Sequence, residues 1–80
     1  MPRYFIDLHD GANFVRDMDG FDLADDVAAR LKLVRILGRI AQEFAPEPER
    51  QDVLAIVRDE AGAGILRARL SLDIEAIETA

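Results

Sequence analysis

From Leu66 to Ile74 apolar and polar residues alternate without a break. Leu66, Ala68, Leu70, Leu72 and Ile74 are interleaved with Arg67, Arg69, Ser71 and Asp73. A period of two marks a strand with one face buried and one in water. Such a strand belongs to an antiparallel sheet, because parallel sheets are covered on both faces. Its length and clean patterning place it at the centre of the sheet, with Leu70 fully buried under whatever covers that face.

Three further strands are expected. Residues 4–9, rich in aromatic and branched side chains, run into the turn pair Asp10-Gly11. Residues 13–18 form a shorter strand ended by Asp19-Gly20, so the first two make a hairpin. Residues 52–59 carry Val53, Leu54, Ile56 and Val57, and the turn at 60–64 leads into the last strand, 65–74. The expected fold class is α+β of order β-β-α-β-β. One long helix packs on one face of a four-stranded sheet, with order 2-1-4-3 preferred to 2-1-3-4.

The helix is expected over about residues 23–45, with Asp22 as N-cap and Pro46 and Pro48 as terminators. Leu23, Val27, Leu31, Val34, Leu37, Ala41 and Phe44 recur at helical spacing and read as its core stripe. Leu33, Ile36 and Ile40 then form a second apolar row, more than one sheet face needs. That row is the expected interface, either with a second copy or with a protein partner.

Composition narrows the function classes. Eighty residues, read as a single domain over 1–80, bury a small core worth ~3–5 kcal/mol. There is no cysteine, so disulfides and thiolate metal sites are excluded. The net charge of -6 disfavours nucleic acid and anionic membrane surfaces as general partners. Asp7 interrupts the position a signal peptide's apolar run would take, and no stretch is long enough to span a bilayer. The expected location is the cytoplasm.

Candidate chemistry is sparse. His9, the single histidine, is flanked by Asp7 and Asp10, and Asp7 shares its strand face. These three are the candidate polar site, against the simpler reading of a strand end and its turn. Asp17 to Asp22 is acidic but lacks the calcium-loop spacing, and Lys32, Arg35 and Arg39 read as a solvated helix stripe. No catalytic residue, cofactor or metal is assigned.

The segments Pro2-Arg3-Tyr4-Phe5-Ile6-Asp7, Asp10-Gly11, 17–23 and 57–62 resemble a family of short bacterial proteins of unknown function that open on a P-R-Y-F-x-D strand. The resemblance spans roughly residues 2–74. It implies a fold and a bacterial cytoplasmic setting, with no substrate and no catalytic residue. The leading expectation is a non-enzymatic interaction or regulatory module, homodimeric or bound to a protein partner. The alternatives are a small enzyme with a site around Asp7 and His9 completed across a dimer, and an antitoxin-like regulator linked to nucleic acid.

Overall fold

The computed structural model describes residues 1–47 and 50–78. Five antiparallel strands and one helix follow in the order β1 (Arg3–Asp10), β2 (Asn13–Val15), β3 (Phe21–Asp22), α1 (Asp26–Gln42), β4 (Arg50–Arg58) and β5 (Gly64–Asp73). The sheet runs β2-β1-β4-β5, with β3 also paired to β1.

The second expected strand, 13–18, is shortened to Asn13–Val15, and β3 at Phe21–Asp22 is a strand that was not expected. Leu8 pairs with Val15 and Tyr4 with Phe21, so four steps along β1 face six along its partner. The two extra residues are taken up between β2 and β3, as a bulge takes up an inserted residue. Gly20 makes this turn with φ +76, and a Cβ there would lie 2.9 Å from both the Tyr4 carbonyl oxygen and the Arg3 Cγ. Gly11 also has positive φ but faces open space. Gly20→Ala should therefore lower stability by about 1–3 kcal/mol, and by more than Gly11→Ala. Denaturation midpoints of the two variants decide this, and equal midpoints would show that the close approach is not real.

The strand order corrects the sequence expectation. In the numbering of the four expected strands it is 2-1-3-4, so the best-patterned strand lies at the sheet edge. Val53-Leu54-Ala55-Ile56-Val57 in β4 is apolar on both faces, and β4 lies between β1 and β5. The turn at 59–63 holds β5 beside it. There the Asp59 N–H donates to the Ala63 carbonyl and the Ala63 N–H to the Asp59 carboxylate. Leu70 faces the helix side but is only half-buried, because α1 leaves the end of β5 uncovered.

The helix starts three residues later than expected. Asp25, not Asp22, is the N-cap, and its carboxylate accepts the Ala28 N–H at 2.9 Å. Asp22 belongs to β3 and pairs with the Arg3 guanidinium at 3.0 Å. Beyond the helix, Gln51 closes the connection by accepting the Ala45 N–H and donating to the Ala45 carbonyl. Pro48 and Glu49 lie outside the described residues, as do Thr79 and Ala80.

The helix also presents the opposite face to the sheet. Ala29 and Leu33 are buried with Tyr4, Ile6, Ala55 and Val57, and Ile36 and Leu37 pack against them. Ile40 is half-buried. Of the expected interface row, Leu33 is therefore core and Ile36 packs against it, while Ile40 stays at the margin. Val27, Leu31 and Val34 of the expected core stripe are 75%, 52% and 61% exposed. Tyr4 sets this rotation from within β1, since its hydroxyl donates to Asp26 at 2.9 Å. Asp26, Ala29, Leu33, Ile36 and Ile40 recur at three- and four-residue steps, so anchoring the first turns the rest inward.

Candidate functional site

The most buried charge in the described chain is Asp7, 5% exposed on the sheet face away from α1. Alternation along β1 puts it there, with Ile56 of β4 directly opposite and Arg58 one diagonal step away. Arg58 donates from Nε to Asp7 Oδ2 at 2.6 Å and from Nη2 to Asp7 Oδ1 at 3.1 Å. Nη2 also donates to the Asp17 carbonyl, and the Asp17 N–H donates to Asp7 Oδ1 at 2.9 Å. The Asp17 carboxylate accepts the N–H groups of Ile6, Asp19 and Gly20. The guanidinium lies over the Phe5 ring, 4.9 Å from its centroid. This network locks the β2–β3 insertion onto β1 and β4.

Burial alone would raise the pKa of Asp7, but hydrogen bonds from Arg58 and the Asp17 N–H outweigh it and hold the group below the usual carboxylate value. Asp17 is likewise pushed up by burial and carried below its usual value by the N–H groups of Gly20, Ile6 and Asp19. A carboxylate depressed in the folded state stabilises it above the unfolded pKa, near 3.9, and loses that contribution as pH falls through the lower folded value. These two groups should leave stability flat between pH 7 and 5 and lower it below about pH 4. Urea denaturation across that range tests the sign. A loss concentrated between pH 7 and 5 would contradict it.

The three candidate polar residues do not come together as a site. Asp7 is taken up by Arg58. His9 is exposed, its ring centroid 4.3 Å from that of Phe14. Asp10 is exposed at the hairpin end. Sequence reasoning missed Arg58 and the role of Asp17. The available signal was one unlike charge inside each of two apolar runs, Asp7 in β1 and Arg58 closing β4.

Two surface features remain. A groove of about 390 Å³ lies between α1 and β1, with Leu8, Ile36 and Ile40 as its floor and Lys32, Arg35, Arg39 and Glu43 as its rim. Lys32 is partly engaged, its ammonium 4.7 Å from the Phe21 ring centroid. Three cations over an apolar floor suit an acidic partner segment with apolar side chains. On the opposite flank of α1, Val27, Leu31 and Val34 form an exposed apolar row at i, i+4 and i+7.

A family model described as Domain of unknown function (DUF6894) matches residues 3–71. The chain belongs to this family. The DUF6894 match takes in the helix and every strand except the last two residues of β5. It also includes Asp7, Asp17 and Arg58, so the buried network lies wholly inside the DUF6894 region. No curated protein and no solved structure matches the chain. Among the described residues no helix is long and apolar enough to cross a membrane.

Proposed function

We propose that this DUF6894 domain is a non-catalytic protein-interaction module that works as a homodimer. One observation carries the reading. The chain exposes 6096 Å² of accessible surface. A compact monomer of its 8.9 kDa mass should expose about 4,800 Å² by the usual scaling, a surplus of roughly 1,300 Å². A standard interface takes about 800 Å² from each partner. Part of the surplus is the exposed tail at 74–78, and the exposed side chains of Val27, Leu31 and Val34 contribute to the rest.

The residue types favour binding over chemistry. Asp7 already holds a guanidinium, and His9 lies against Phe14 without a carboxylate partner. Sedimentation equilibrium should give twice the 8.9 kDa monomer mass. Leu31→Glu combined with Val34→Lys should return the chain to monomer while its circular dichroism stays native, since both positions are exposed. A native chain that sediments as monomer at millimolar concentration would refute the homodimer.

The groove favours a second reading, in which a protein with an acidic, apolar segment docks along Leu8, Ile36 and Ile40. Lys32, Arg35 and Arg39 gather positive charge there in a chain whose net charge is -6. The two readings use opposite flanks of α1 and are compatible.

A further inference from the structure

The sheet has two unlike edges. On one, β2 and β3 are short and interrupted by the Asp17–Gly20 insertion, which blunts that edge against pairing. On the other, β5 is ten residues long and, among the described residues, pairs only with β4. It contains no proline, and its pairing with β4 is regular from Leu66 to Asp73, the one irregularity lying at Val57/Arg58. Its outer edge is a row of unpaired backbone donors and acceptors, the form that accepts another strand.

Lys32, Arg39 and Glu43 overhang Leu8 of β1 on one flank of α1. At 100° per residue, Val34 and Ala41 fall toward the opposite flank, on the β5 side, while Val27, Leu31 and Gly38 point away from the sheet. The helix sits closer to β4 and β5 than to β1.

Resting on the homodimer reading, we propose that a second copy pairs antiparallel along β5 and extends the sheet, so that the two α1 helices approach through the flank that carries Val34 and Ala41. The spacing fits. Strands lie about 4.8 Å apart, which puts β5 about 2.4 Å and β4 about 7.2 Å from the two-fold axis. A helix seated over both lies about 5 Å from the axis, so the two helices stand about 10 Å apart, at the upper end of the packing range.

Charge selects the register. With Leu70 opposite its own copy, Ala68 faces Leu72, Leu66 faces Ile74, Arg69 faces Ser71 and Arg67 faces Asp73. Moving the axis to Arg69 sets that arginine against itself, and moving it to Ala68 sets Arg67 against Arg69. Moving it to Ser71 shortens the paired stretch. Leu70 on the axis therefore pairs the most of β5 without opposing like charges.

The native chain has no cysteine, so single reporters are unambiguous. Directly opposed residues have Cα atoms about 4.5–5.5 Å apart, within disulfide reach. Under mild oxidation Leu70→Cys should form a covalent dimer at least tenfold faster than Arg67→Cys, whose copies stand about 20 Å apart along the strands. The double variant Arg67→Cys with Asp73→Cys uses exposed positions only and should also link rapidly, which covers any loss of folding in Leu70→Cys. If the native chain is dimeric by mass but neither reporter links faster than Arg67→Cys alone, the β5 pairing is wrong and the homodimer stands. A monomeric native chain overturns both.

Discussion

Arg58→Ala should leave the domain largely unfolded at room temperature and neutral pH. The substitution strips Asp7 of both its guanidinium hydrogen bonds while the carboxylate stays 5% exposed in the folded state. Removing one partner of a buried ion pair costs about 3–5 kcal/mol, because the other charge is left uncompensated. A domain of this size has about that much stability in total. The cost does not measure the net worth of the pair, since both charges also lose water on folding. Asp7→Leu combined with Arg58→Met should therefore be more stable than Arg58→Ala alone. Recovery will be incomplete, because the Asp17 N–H and carbonyl lose their partners. Far-ultraviolet circular dichroism and urea titration of the three proteins decide this. A folded Arg58→Ala variant within 1 kcal/mol of the native chain would show that water reaches Asp7.

The second large effect separates the two apolar rows of the helix. Leu33 is 5% exposed, in the cluster with Ile6, Ala55 and Val57, and Leu33→Ala should cost about 2–5 kcal/mol. Leu31 is 52% exposed in the isolated chain, so Leu31→Ala should change the stability of the monomer by well under 1 kcal/mol. The comparison belongs at dilutions where the chain is monomeric, since association stabilises whatever it binds. Equal costs at the two positions would mean that the helix is rotated away from the orientation Tyr4 and Asp26 impose.

The strands and the helix were legible because their periodicities are strong. Leu66 to Leu72 alternate as expected, and Asp10-Gly11 makes its turn. The rotation of the helix was not legible. Both its rows are apolar, and counting them cannot tell which faces the sheet. The deciding contact is the Tyr4 hydroxyl on Asp26, between residues 22 apart in the chain. The strand order was misread because clean alternation was taken as the mark of a central strand. Alternation reports one wet face, whereas the continuous apolar run Val53–Val57 marked a strand with neighbours on both sides. The N-cap was misplaced because Asp22, Asp25 and Asp26 all suit that position by type. Pairing of Asp22 with Arg3 in the sheet leaves Asp25 to cap the helix. Of the candidate site, Asp7 entered only as a neighbour of His9, which is close in sequence, while its partner Arg58 is 51 residues away.

Amide hydrogen exchange along β5 tests the edge-paired homodimer most directly. In a strand paired on one side, alternate N–H groups point away from the sheet into water, so protection alternates along the chain. A second copy on the outer edge bonds the other set. At concentrations where the chain sediments as a dimer, consecutive amides from Arg67 to Asp73 should be protected, and alternate ones should lose that protection on dilution. Protection that alternates along β5 in the dimer, with every second amide exchanging at unprotected rates, would contradict the edge-paired assembly.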